Sequence, residues 1–205
     1  MDSAQLKTRT RSRFTLIFLI AVFAAPILLA YVVSSNKSLH PTQTKNNGHL
    51  FEPARPLPEF SLNTLDGKTF ELDDIRRKWS YVYIDSGTCQ QTCQESLDKI
   101  RIARLAQAGE SLRVQYFLLV TGQPNQSELK TLLEKHPRMI LLHGESQVVE
   151  RIATNFNTSE GEAINAGQVY LVDPIGNAMM YYPKGFDANG LLKDLKYLLH
   201  WSQIG

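Results

Sequence analysis

The 205-residue chain predicts an α/β domain carried behind one apolar N-terminal helix. Three observations carry this reading: an uncharged run over residues 14–33, strand-like and helix-like runs that alternate from residue 58 onward, and two cysteines where one strand hands over to a helix. The length suits one domain of about 150 residues with a real core, plus an appendage. With 43% hydrophobic and 20% charged residues and only two cysteines, the composition excludes a disordered chain, a collagen and a disulfide scaffold.

The charge is unevenly placed. Residues 1–13 hold Lys7, Arg9, Arg11 and Arg13 against Asp2, and the remainder carries 18 basic and 19 acidic side chains. The isoelectric point near 8.5 therefore belongs to the tail. No basic stripe interleaved with aromatics runs through the body, so nucleic acid is excluded as a partner.

Residues 14–33 (FTLIFLIAVFAAPILLAYVV) have no charge, and Thr15, Tyr31 and a helix-kinking Pro26 are the exceptions to the apolar run. Twenty residues at about 1.5 Å each match the roughly 30 Å hydrocarbon core. Four basic residues precede the span and only Lys37 follows closely, which predicts a cytoplasmic tail over 1–13 and the remainder beyond the membrane. A cleavable signal peptide is the competing reading. The run is longer than an ordinary signal core, and Ala30-Tyr31-Val32-Val33 lacks a small-x-small cleavage site, which favours an uncleaved anchor. Residues 34–57 are polar and proline-containing without periodic apolar residues and read as a flexible linker, with His40 and His49 solvated in it.

The domain proper is expected over 58–205. EFSLNTLDGKTFEL alternates around Asp66-Gly67 and predicts a β-hairpin. WSYVYID predicts a strand that runs into a turn and then a helix, with Leu97, Ile100, Leu105 and Ala108 on one face and Arg101 and Arg104 as polar exceptions within it. RVQYFLLVT and MILLHG read as strands. SELKTLLEKH and SQVVERIATNF read as helices, facing inward with Leu129, Leu132 and Leu133 and with Val148, Ile152 and Phe156. QVYLVD and NAMMYY flank the turn Asp173-Pro174-Ile175-Gly176. GLLKDLKYLLHW closes the chain as an amphipathic helix on Leu191, Leu195, Leu198 and Leu199. This order describes a thioredoxin-like sandwich preceded by an N-terminal hairpin and a single transmembrane helix.

Cys89 and Cys93 stand as C-x-x-x-C at the strand-to-helix junction. A helix N-terminus offers unpaired N–H groups and a partial positive charge, which favour a thiolate. Thr92 and Glu95 fit a capping box that starts the helix at Cys93 and leaves Cys89 more exposed in the turn. Two sulfurs so placed can close a disulfide, exchange it, or bind a soft metal such as Cu(I). A local staple is the plain alternative, but so short a loop gains little from being closed.

With these residues the chain resembles the SCO/SenC family of membrane-anchored proteins that help assemble cytochrome c oxidase. The likeness covers the anchor and residues 51–205, including the hairpin, the strand into C-x-x-x-C, and YLVDPIG. The resemblance implies a bacterial inner-membrane protein with a periplasmic domain. It further implies copper held on the two cysteines and a distal histidine, and either delivery to the copper centre of oxidase subunit II or reduction of that centre's cysteines. Counting back from Pro174 puts Asn165 or its neighbours where the family has its histidine. The turn also departs from the pattern, reading Asp85-Ser86-Gly87-Thr88, with Gln90 and Gln94 in place of prolines. The chain is thus similar to a histidine-lacking branch of the family. Met179, Met180, His136, His143 and His200 are each better explained by packing or by a helix end than as a third ligand.

A general disulfide reductase is disfavoured by the spacing and by the absence of a proline before QVYLVD. The sequence therefore predicts a single-pass anchored, periplasmic dithiol at Cys89 and Cys93 that exchanges a disulfide with, or passes Cu(I) to, the oxidase copper site. Cys89 is the expected exposed attacking or copper-accepting sulfur and Cys93 the resolving one. The alternative is a non-catalytic, membrane-tethered scaffold for oxidase subunits or other assembly factors, with a structural disulfide.

Overall fold

A computed structural model describes residues 3–35, 45–121 and 124–204, which fall into two units that part between Lys45 and Asn46. The first unit is helix α1 (Ser3–Ser35), which continues through Pro26. Its stretch Thr15–Ser35 is apolar and entirely unburied, and 21 residues at about 1.5 Å each give the length a single membrane span requires. His40 lies outside the described residues.

The second unit is built on an eight-stranded sheet: β1 (His49–Pro56), β2 (Ser61–Thr64), β3 (Thr69–Glu71), β4 (Trp79–Asp85), β5 (Val114–Val120), β6 (Met139–His143), β7 (Val169–Val172) and β8 (Asn177–Tyr182). Their order across the sheet is β1-β8-β7-β4-β5-β6-β2-β3. Strands β4, β5 and β6 are parallel and the other neighbours antiparallel. Every residue of β4 and β5 is buried, as expected of central parallel strands covered on both faces.

The two-residue period of β4 divides the core. Tyr81 and Tyr83 face a cluster shared with α3 (Gln91–Leu105), α4 (Gln126–Lys135) and α6 (Ala188–Trp201). Val82 and Ile84 face the other side, against the hairpin, the single turn α2 (Leu72–Ile75) and α5 (Ser146–Thr154).

Several expectations need correction. Residues 49–56, read as linker, form edge strand β1 against β8, with His49 opposite Tyr181 and Pro56 opposite Asn177. Phe51 buries its ring beside Tyr181, and the Arg55 guanidinium lies over it at 4.4 Å. Pro53 and Pro56 break the sequence alternation, yet an edge strand tolerates them because one side of its ladder is unpaired. Helix α3 begins at Gln91, two residues before the expected start. The Gln94 N–H already bonds the Gln90 carbonyl, and Glu95 accepts from the Gln91 side chain and caps nothing. Its inner face is Cys93, Leu97, Ile100 and Arg104. Leu105 points outward and Ala108 has left the helix for a 3-10 segment, Ala108–Arg113. Arg104 holds a core position because its Nε donates to the Val114 carbonyl at 2.7 Å. On α5, Val149 is the fully buried residue and Val148 is half-buried.

Candidate functional site

The site forms where β4 ends. Residues 86–90 turn from Asp85 into α3, and the sulfurs of Cys89 and Cys93 are bonded at 1.97 Å with their Cα atoms 5.1 Å apart. One oxygen of buried Asp85 accepts three backbone N–H groups, from Gly87 at 2.8 Å, Thr88 at 3.0 Å and Cys89 at 2.9 Å. Those donors would otherwise point into the protein unpaired. The same turn places Cys89 at φ 34°, a left-handed conformation that a side-chain-bearing residue enters only when its surroundings hold it there. The Gln94 amide adds a bond to the Cys89 carbonyl.

Cys93 is the third residue of α3, inside the turn whose N–H groups lack helical acceptors. Cys93 thus keeps a place in the first turn although the helix starts earlier than expected. The expected exposure of Cys89 does not hold: Cys89 is 3% and Cys93 2% exposed, both folded under the turn into the core. Access comes from two hollows. One of about 340 Å³ reaches Cys89 between the turn and α4, lined by Thr88, Gln90, Gln94, Leu129 and Leu132. The other, about 300 Å³, reaches Cys93 and is lined by Tyr83, Asp85, Asn165, Gly167 and Lys184.

Strand direction explains this lining. Because β7 runs antiparallel to β4, and β8 antiparallel to β7, the residues before β7 and after β8 arrive at the C-terminal end of β4. Asn165 stands beside the cysteine turn, and its side-chain oxygen accepts the Ser86 N–H at 2.9 Å. Lys184 follows β8 and reaches the Cys93 hollow. Neither it nor Tyr83 was singled out from sequence. The only local signal for Lys184 is the Pro183-Lys184-Gly185 turn. Burial, with a smaller contribution from the Asp85 carboxylate, pushes the Tyr83 hydroxyl up to about 12, so it stays a proton donor at neutral pH.

The described histidines lie elsewhere. His49 stacks on Tyr181 in β1, His143 ends β6 opposite Asn63, and His200 is exposed on α6. His136 is buried, with Nε2 3.8 Å from the Asp98 carboxylate. Met180 is a core residue, Met179 is half-buried, and neither lines either of the two hollows at the cysteines. Among the described residues no three His, Cys, Asp or Glu side chains converge as a metal-binding group. The arrangement offers two sulfurs, which can serve thiol–disulfide chemistry or two-coordinate Cu(I).

Residues 79–202 match the family described as transmembrane-like, thioredoxin-like, C-terminal domain. Among curated proteins none matches the chain by sequence. Solved structures do. Copper-bound Sco1 from yeast is 18% identical, with a TM-score of 0.60 over 72% of this chain and 94% of that one. A SCO1/SenC family lipoprotein from Bacillus anthracis is 21% identical, with a TM-score of 0.56 over 70% and 95%. BsSco, described as a member of the Sco family of cytochrome c oxidase assembly proteins and as holding a disulfide switch, is 15% identical, with a TM-score of 0.55 over 73% and 96%. At these identities the likeness is one of fold, and the fold is the thioredoxin-like one of Sco proteins.

Proposed function

The chain belongs to the transmembrane-like, thioredoxin-like family through its C-terminal domain, and on that premise we propose that it is a membrane-anchored dithiol–disulfide protein of cytochrome c oxidase biogenesis. The observation that carries the proposal is the Cys89–Cys93 pair spanning the turn after β4 and the first turn of α3, with Asn165 rather than a third soft or imidazole ligand beside that turn. Exchange needs two sulfurs and a suitable pKa, whereas oxidised copper calls for imidazole nitrogen.

In the proposed step the reduced protein presents a Cys89 thiolate, reached through the hollow beside α4, to a disulfide of oxidase subunit II. One partner thiolate leaves as the mixed disulfide forms. Cys93, as thiolate, then attacks the Cys89 sulfur and releases the second. Two electrons pass to the partner and the Cys89–Cys93 disulfide remains, to be reset by an external dithiol. Cu(I) is the alternative cargo on the same two sulfurs. The basic tail before the apolar helix supports a cytoplasmic N-terminus, an inner-membrane anchor and a periplasmic domain.

Burial of both sulfurs favours a second reading, a scaffold with an inert disulfide that binds oxidase subunits or other assembly factors. A redox titration of the purified full-length protein with and without Cu(I), paired with Cys89→Ser and Cys93→Ser in cells, separates the readings. Exchange predicts a potential within reach of cellular dithiols, and loss of oxidase assembly in both variants. A potential below about −300 mV with no copper uptake, and assembly intact in both variants but lost on deleting residues 14–33, leaves the scaffold.

A further inference from the structure

The exposed apolar side chains of the domain are not scattered. Seven large ones are exposed among its described residues, and six of them, Ile102, Leu105, Leu112, Tyr197, Trp201 and Ile204, lie on the end of α3, the 3-10 segment, the end of α6 and the residues just after it. These elements meet there: the Arg113 guanidinium donates to the carbonyls of Leu199, Ser202 and Ile204. A shallow hollow of about 900 Å³ lies between them.

The outer face of α6 carries Lys193, Lys196, Tyr197, His200 and Trp201, which fall at three- and four-residue spacing on one side of the helix. Trp201 is 68% exposed and its ring lies 6.2 Å from that of Tyr197. Glu110 is the acidic group in the hollow, and Arg113 pairs with it. Asp194 points inward on the opposite side of the helix. Large aromatics next to lysines, with the acid neutralised, match a bilayer's headgroup zone, where amphipathic rings settle at the interface and lysines meet anionic phosphates.

The route of the chain supports the same partner. Asn47 and Gly48, where the domain begins, donate their backbone N–H groups to Asp194 of α6 at 2.8 and 2.9 Å. Only residues 36–46 separate that point from the apolar helix, a reach of at most about 40 Å of extended chain. We propose that the outer face of α6, with the adjoining 3-10 segment, rests on an anionic lipid surface, Tyr197 and Trp201 at headgroup depth and Lys193 and Lys196 over the phosphates. Cys93 then sits at the other end of α3, roughly 18 Å along the helix from Leu105.

Full-length protein is reconstituted through its own helix into vesicles of phosphatidylcholine alone or with about one third phosphatidylglycerol, and acrylamide quenching of tryptophan is measured. Trp201→Phe isolates the contribution of Trp201 from that of buried Trp79. The expected result is at least a twofold smaller quenching constant for Trp201 in the anionic vesicles. That protection is lost in high salt and in Lys193→Glu/Lys196→Glu, whose circular dichroism stays unchanged. Equal quenching in the two vesicles overturns the proposal. So does protection that appears in neutral vesicles and grows with protein-to-lipid ratio, which assigns the face to a second copy of the chain.

Discussion

The side-chain oxygen of Asn165 accepts the Ser86 N–H at 2.9 Å, so the loop before β7 is tied to the turn that carries Cys89. An amide at this position steadies the turn and offers copper no good ligand.

Asn165→His is expected to raise the affinity of the reduced protein for Cu(I) by about tenfold or more, since it adds an imidazole beside the two sulfurs. Its backbone, at φ 58°, is one that histidine accepts better than most residues. Competition against a chromophoric Cu(I) chelator measures the change. An unchanged affinity would show that residue 165 cannot reach the sulfurs.

Asp85→Ala removes the acceptor of three turn N–H groups and is expected to lower stability by about 2–4 kcal/mol. For a domain of this size that is a fall in Tm of roughly 5–12 °C. Calorimetry of the oxidised protein tests it.

Asp194→Ala should cost a similar amount, about 2–4 kcal/mol, because its carboxylate takes bonds from Asn47, Gly48 and the Tyr182 hydroxyl in a buried setting. The local signature is faster hydrogen exchange at Gly48 and early proteolysis around residues 46–50. If exchange at Gly48 is unaltered, the carboxylate does not fasten the chain.

His136 gives a pH dependence. Burial holds its imidazole below the usual 6.5, Asp98 opposes that shift, and Arg101 and Lys135 add to it. The unfolded chain then binds the proton more readily than the folded one. The stability His136 contributes is complete above about pH 6.5 and declines as pH falls from there toward the folded value. His136→Phe, which keeps a ring against Tyr116, is expected to flatten the difference between urea midpoints at pH 7.5 and pH 5. A variant with the same pH slope as the parent would exclude this role.

Much of this was legible in the chain, for physical reasons that can be named. Central strands β4 and β5 are continuous apolar runs because both faces are covered, and the hairpin announces itself through Asp66-Gly67. The cysteine pair could be read by counting. Edge strand β1 could not, since two prolines hide its alternation and its ladder depends on β8, more than a hundred residues away. On the inner face of α3, Arg104 is accepted in the core because its Nε donates to the Val114 carbonyl, while Leu105 turns outward and Ala108 falls in the 3-10 segment, an early helix end that the helical spacing does not show. The burial of Cys89 and the approach of Lys184 arise from contacts between separate segments, which no local pattern records.

The fastening of Asn47 and Gly48 to Asp194 also settles how the domain meets mechanical load. Strand β1 lies on the sheet margin, and a pull on its leading end at His49 would peel it from β8 one rung at a time. Tension arriving from residue 45 meets the Asp194 carboxylate first and passes into α6, which is seated along its length by Leu191, Leu195 and Leu199. The strop is tied to a beam, and the hem of the sheet is spared.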